Sequence, residues 1–581
     1  MNEMRKVTMP TVEDVKKKYH RGVRFKQQIG LFDTVTENEN FFIGKQWEGV
    51  ESNGLPTPVF NMLKRVIMFQ VASITSDNIA ARGSALVCTE TKTKAEVDKV
   101  LQIVNDELVR IFERNSLPAL LRVYARNAAV DGDGCLYTYF DPDAETGQKV
   151  KGEIVTEIVE NTRVHFGNPN DRGVQRQPYI IIQRRLPVDD VKWQAEQNDI
   201  QEDEIEQIKP DEDDHYTEAD SYNDERVTLL LYFWRDRKTG HIWKMECTEK
   251  AMVSKPVDTE TKLYPVTWLC WDYVQDRMHG QAAITGLIPN QKFINRLFAM
   301  VMLSLMTTAF PKIIYDRTRL RSWDARVGAA IAVNGGDMNT VARIMDPPAI
   351  SPQVSQFIEA AIQYTQNFLG ASDVAMGDAR PDNTSAIVAL QRAANTPLEL
   401  TKQNLYQSVE ELCRIYIDQM RAFYGKRKVE QVGIEGAAEQ KEQPFGVMDA
   451  VDAKFLVDFD FGKELNDLPM VIKLDVGASS YWSEIAAMQT LDNLLMQKQI
   501  TILDYLERVP SGYIPKKQEL IDALKEAQAA QAAAQAPAPG GGMAQPEGLA
   551  GNGSLADSMP IPGGPGNGAL QRAIVQEGMA S

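Results

Sequence analysis

Gly286-Leu-Ile-Pro-Asn-Gln-Lys-Phe-Ile-Asn295 opens an apolar helix that runs on as Leu297-Phe-Ala-Met-Val-Met-Leu-Ser-Leu-Met-Thr-Thr-Ala-Phe310. A strand-rich insert follows, Pro311–Pro352, with apolar runs at Lys312–Tyr315, Ala329–Val333 and Thr340–Met345. Polar turns such as Asn334-Gly335-Gly336-Asp337 separate them, which is how short strands are punctuated. Gln353–Leu369 reads as a second helix and Gly370–Asn383 as a Gly/Asp/Pro loop. A long helix then reaches Tyr424, with Leu405, Val409, Leu412, Tyr416, Met420 and Phe423 on one stripe. Two helices flanking a small β insert, with a loop before a third helix, suit a chain that repeats around a central hole.

The segment Leu297–Phe310 carries no charge, and Lys292, Arg296 and Lys312 close it at both ends. Its fourteen residues span about 21 Å as a helix, against roughly 30 Å of hydrocarbon in a bilayer. A helix packed in a core or between subunits fits this length; a membrane-associated protein is the competing reading. Leu297, Val301, Leu303 and Leu305 are the candidate interface residues.

Working outward, residues 11–40 read as a polar helix and Phe41–Asn61 as a loop with the anchor Phe41-Phe42-Ile43-Gly44-Lys45-Gln46-Trp47. Met62–Thr75, Glu96–Asn115 and Pro118–Val130 have apolar residues at helical spacing. Asp131-Gly132-Asp133-Gly134 turns into the strand Cys135–Phe140. Strands are expected at Glu153–Val159, Tyr179–Arg185, Val227–Arg235, His241–Cys247 and Tyr264–Trp271, so the first 285 residues form a mixed α/β region. Asp189–Arg226 holds sixteen Asp/Glu and three Lys/Arg, net −13, and reads as a solvated, partly disordered surface segment. Beyond the long helix, Lys454–Phe461 and Val471–Val476 alternate like strands, while Trp482–Met496 and Thr501–Val509 look helical. From Ala527 the chain turns to Ala/Gln and then Gly/Pro/Ser, which cannot build a core and is expected to be disordered, with a short terminal helix at Leu570–Glu577.

The composition excludes more than it names. The chain has 581 residues, a net charge of −17 and 25% charged residues, as expected of an ordinary globular protein of several domains. An acidic chain is poorly made for tight nucleic-acid binding, which needs Lys/Arg to neutralise phosphates. The five cysteines, Cys88, Cys135, Cys247, Cys270 and Cys413, form no CxxC pair and read as reduced thiols. There is no GxxxxGK[ST], no GxSxG, no HExxH and no HxxxH. Asp131-Gly-Asp133-Gly resembles the start of a calcium loop, but its twelfth position is Pro142 rather than Glu, so a turn is expected. No catalytic residue, cofactor site or metal site is expected, and the chain does not read as an enzyme.

Taken in order, several segments resemble the portal proteins of tailed bacteriophages, closest to the P22-type family. They are Phe41–Trp47, Pro56 with Asn61–Val66, Ala128–Gly134, Gly286–Asn295, Gly370–Ala386, and Asp475-Val476-Gly477 with Ser480–Glu484. They spread over residues 20–510, and their order and spacing carry the resemblance.

The resemblance implies an α+β portal fold: residues 1–285 as an α/β wing, 286–310 as a stem helix, 311–352 as a β-rich clip and 353–369 as a second stem helix. Residues 370–383 would be a tunnel loop, 384–424 a long helix, 425–510 a return to the wing with a helical crown, and 511–581 a helix and disordered tail. It implies a homo-oligomeric ring of about twelve subunits at one capsid vertex of the virion, assembled in the host cytoplasm. The ring would conduct double-stranded DNA during packaging and ejection, held weakly and without sequence preference. Its partners would be the terminase, the major capsid and scaffolding proteins, and head-to-tail adaptor or tail proteins, with no membrane. Channel candidates are Lys292, Arg296 and Lys312 on the stem, and Ser372, Asp373, Arg380 and Asn383 in the loop. Another capsid or head-completion protein is the alternative of the same kind. The Gly/Pro-rich C-terminus departs from relatives that extend into a helical barrel.

Overall fold

A computed structural model describes residues 9–432, except 53, 55, 77–78, 86–93, 148–149, 212–224, 310–312, 323, 325–330, 345–355 and 364–397. It also describes 454–466, 470–476, 491–497, 500–502, 505–506, 509 and 520–521. Two compact units divide the chain, residues 1–487 and 488–581.

The first unit begins with α1 (Val12–Gln28), capped by a reciprocal pair in which Asp14 N–H donates to Thr11 Oγ1 at 3.3 Å and Thr11 N–H to Asp14 Oδ2 at 3.2 Å. The expected single helix over 11–40 is in fact two. Gly30, at φ +68°, takes the left-handed turn that ends α1, and α2 runs Leu31–Ile43. The anchor Phe41-Phe42 therefore sits on a helix rather than in a loop, with both rings buried. α3 (Met62–Ile74), α4 (Lys94–Arg114) and α5 (Leu117–Asp131) follow where helical periodicity places them.

A three-stranded antiparallel sheet divides the interior: β2 (Asp133–Asp141) lies between β3 (Glu153–Val159) and β9 (Val266–Cys270). Period-2 alternation sends Leu136 and Leu269 to one side and Cys135, Tyr137, Val266 and Trp268 to the other. On the first side pack α2 to α5 and the helix Glu399–Gln419. Leu405, Val409, Leu412, Tyr416 and Met420 of the expected stripe are buried there, and Phe423 stacks on Phe140 at 5.1 Å. The helix ends in a π turn, Met420–Tyr424, that buries Tyr424.

On the other side lies a five-stranded antiparallel meander: β4 (Val164–Phe166), β5 (Tyr179–Pro187), β6 (Arg226–Arg235), β7 (Ile242–Cys247) and β8 (Met252–Asp258). Both of its faces are covered, which explains the unbroken apolar run Val227–Trp234 apart from Thr228. Leu229, Leu231 and Phe233 face the three-stranded sheet, while Leu230 and Tyr232 face Val15 and Tyr19 of α1.

The acidic run is not a solvated segment over its first half. α6 (Val188–Gln197) and α7 (Glu202–Ile205) fold against the five-stranded sheet, burying Val188, Val191, Ala195, Ile200 and Ile208. Arg185 Nη1 donates to Asp211 Oδ1 at 2.9 Å, and Asp211 also accepts the Thr228 N–H, so the segment is pinned at its far end. The carboxylates occupy the outer face while the apolar residues recur at helical spacing beneath them; residues 212–224 lie outside the described residues.

The insert forms a two-stranded antiparallel ladder, β10 (Ile313–Tyr315) with β11 (Ala342–Ile344), in which Ile313 faces Ile344 and Tyr315 faces Ala342. Of the middle run, residues 331–333 form no strand, and 329–330 lie outside the described residues. The chain closes over long range. β14 (Met470–Val476) pairs antiparallel with β1 (Ile79–Ala85), and β12 (Lys426–Val432) pairs with β13 (Lys454–Asp460).

In the second unit, residues 491–496 are helical, and Tyr505 Oη donates to Asp492 Oδ1 at 2.6 Å. The expected helices Trp482–Met496 and Thr501–Val509 are otherwise mostly outside the described residues, as are the tail from Ala527 and Leu570–Glu577.

Candidate functional site

The helix α8 (Ile288–Ala309) changes character along its length. Its first three turns are fixed in the body of the protein: Gln291 is 1% exposed, Ile294 1%, Asn295 2% and Ala299 7%. A buried polar ladder holds them. Asn295 Nδ2 donates to Gln46 Oε1 at 2.6 Å, and Gln291 Nε2 donates both to Asn295 Oδ1 at 2.9 Å and to the Phe60 carbonyl at 2.7 Å. Gln46 Nε2 donates back to the Phe41 carbonyl at 3.2 Å. The Phe298 ring lies 4.1 Å from that of Phe60, and Trp47 Nε1 donates to the Pro58 carbonyl at 2.9 Å. Buried amides satisfied in this way fix one register and one direction for the helix.

From Met300 to Met306 the helix is mostly apolar and exposed. Met300, Met302, Leu303, Leu305 and Met306 are exposed, Met300 to 59% and Leu305 to 52%. At 100° per residue these five positions spread over about 220° of the helix, and the half-buried Val301 and Ser304 fall in the remaining gap. Exposed apolar surface of this breadth is what an interface typically covers. Ile314 on β10 is also exposed, as is Phe357 on the helical segment 356–363, whose ring lies 6.0 Å edge-on to Phe293. Among the described residues no helix is long and apolar enough to cross a membrane.

The candidate residues divide accordingly. Leu297 and Val301 are half-buried, whereas Leu303 and Leu305 are exposed. Arg296 is exposed. Lys292 Nζ pairs with Glu37 Oε1 at 2.5 Å and lies 5.3 Å from the centre of the Phe41 ring, so it fastens the helix base to α2. Lys312, Ser372, Asp373, Arg380 and Asn383 lie outside the described residues.

One feature of the charge distribution escaped the reading of the sequence. The insert 311–352 carries six Lys/Arg and four Asp, a local net of +2 within a chain of −17. Arg317 and Arg321 are exposed, while Arg319 pairs with Asp316 at 3.7 Å and donates to Thr340 Oγ1 at 3.0 Å. The polar ladder was also missed. Its only local signal is the pair Gln291 and Asn295, four residues apart and so on one face of the helix.

Asp131-Gly132-Asp133-Gly134 is a structural turn. Gly132 sits at φ +96°, Asp133 Oδ1 accepts the Gly280 N–H at 2.7 Å, and Asp133 Oδ2 faces His279 Nδ1 at 2.8 Å. Among the described residues no group of three or more His, Cys, Asp or Glu could hold a metal ion. Cys135, Cys247 and Cys413 are buried free thiols, and burial raises the pKa of Cys247 and Cys413 to about 12, so neither forms a reactive thiolate near neutral pH.

A family model described as phage P22-like portal protein matches residues 180–552, more than half of the chain. The match spans α8, the insert and the helix Glu399–Gln419, and it leaves Phe41–Trp47 and Ala128–Gly134 outside. No curated protein matches the chain.

Proposed function

The chain belongs to the phage P22-like portal proteins, and on that premise we propose how its parts serve the packaging of DNA into the capsid. Residues 1–285 with the returning strands are the wing, α8 and residues 353–369 the stem, 311–352 the clip and 370–383 the tunnel loop. The protein stands as a ring of about twelve subunits at the capsid vertex. It has a structural rather than a catalytic role, and the motor that drives packaging is a separate protein.

The observation that carries this reading is α8: anchored by Gln46, Gln291 and Asn295 at its base, apolar and uncovered over its outer half. Neighbouring copies of the same helix would cover it. The charge supports the reading too. Duplex DNA carries one charge per roughly 1.7 Å, so a strongly basic channel would bind it register by register and stall its movement. A subunit of net charge −17 keeps DNA weakly held, and Arg296 on the stem adds only local cations. The locally positive clip, with exposed Arg317 and Arg321, is the surface offered to the terminase and later to tail proteins.

Capsids assembled with and without the chain test the function. With it, heads fill with DNA; without it, they remain empty. DNA-filled heads formed in its absence would overturn the assignment.

A further inference from the structure

The second half of α1 passes over β4 and leaves a cavity of about 270 Å³, several times what one water needs. Its polar lining is basic: Arg21, Arg24, Lys26, His165 and His279, with Gln28 the one neutral polar side chain. No Asp or Glu lines it, although the chain has 80 acidic residues against 63 Lys and Arg.

His165 is the informative residue. It is 1% exposed, and neither ring nitrogen makes a hydrogen bond. The Gln183 side chain and the Gly22 backbone approach the ring without meeting hydrogen-bond geometry, and burial, reinforced by Lys26, holds it neutral. A neutral imidazole keeps one N–H to donate. Buried polar groups without partners are rare and destabilising, so an unpaired imidazole in a roomy cavity marks a place where something binds. Gly22 makes the space: a Cβ there would lie 2.7 Å from His165 Nδ1.

The other basic groups have graded freedom. Lys26 Nζ lies 2.9, 2.8 and 2.6 Å from the carbonyls of Asn161, Thr162 and Val164, which take its protons, so it offers the cavity no donor. Arg21 Nη2 donates to the Gly167 carbonyl at 3.1 Å, leaving most of its guanidinium. His279 is held through Nδ1 by Asp133, leaving its other ring nitrogen. Arg24 is exposed at the mouth.

We propose that this cavity is an anion site for a phosphate-class oxyanion, held by the guanidiniums of Arg21 and Arg24 at the mouth and by the His165 ring within. Guanidinium geometry suits a tetrahedral oxyanion, and charge-assisted bonds are the strong ones. A bound anion would tie α1 to the β4–β5 sheet. The inference is independent of the portal reading, since it concerns one subunit.

Thermal melts and calorimetric titration of the full-length protein with inorganic phosphate test it, with sodium chloride at matched ionic strength as the reference. Phosphate should raise Tm by several degrees in a saturable way. Arg21→Gln and Arg24→Gln, both at exposed positions, should each weaken phosphate binding about tenfold. An equal response to phosphate and chloride, or full phosphate binding retained in both variants, would overturn the proposal.

Discussion

Lys26 shows how a single side chain shapes the pH dependence of this fold. Its ammonium is 1% exposed yet satisfied by three carbonyls, and burial lowers its pKa from 10.5 to about 7. Between those values the unfolded chain holds a proton that the folded protein has released. Stability therefore rises with pH through this window, and the contribution is lost as pH falls through about 7. Lys26→Met should flatten the rise, as seen in urea midpoints taken between about pH 7 and 8, below the range where the buried thiols, raised from 9.0 to about 12, oppose it. Parallel profiles for the two proteins would show that Lys26 does not titrate there. A neutral substitution of Asn295 tests the base of α8. Asn295→Ala leaves the Gln46 carbonyl oxygen and the Gln291 amide short of partners and should destabilise by about 1–3 kcal/mol in denaturant unfolding. An unchanged midpoint would mean that water replaces the amide.

At the scale of elements, α4, α5 and the Glu399–Gln419 helix were readable because one apolar stripe at period 3.6 dominates each. Other elements were not. β4 is three residues long, and its backbone is placed by pairing with β5 rather than by local preference. In the acidic run, charge concealed Val191, Ala195, Ile200 and Ile208, whose burial decides that segment. The Gln46–Asn295 contact joins residues 249 positions apart, which no local pattern announces. The outer half of α8 gives the sharpest prediction at this scale. Leu303→Asp puts a carboxylate on a surface that carries no charge, and burying it against a neighbour would be strongly unfavourable. Because Leu303 is 38% exposed in the single chain, the subunit should still fold. Sedimentation should then show folded protein without rings; full-size rings from this variant would remove α8 from the interface.

For the whole molecule, the family match and the unpaired apolar helix point the same way. The single chain leaves uncovered what an assembly would bury, and its acidic charge suits a conduit that must not grip its cargo. The order of segments from 286 to 424 is what pointed to the family whose model matches the chain, and the loop 370–383 within it lies outside the described residues. The channel lining was not legible to the same degree, because the residues that face a central axis are set by symmetry between copies rather than by any pattern within one. The central claim is assembly, and the direct measurement is the particle mass of the purified protein by light scattering, paired with negative-stain images. The account predicts rings with a central hole and a mass of about twelve subunits of 65.0 kDa each. A stable closed dimer, with the outer half of α8 buried in a two-fold interface, would contradict it.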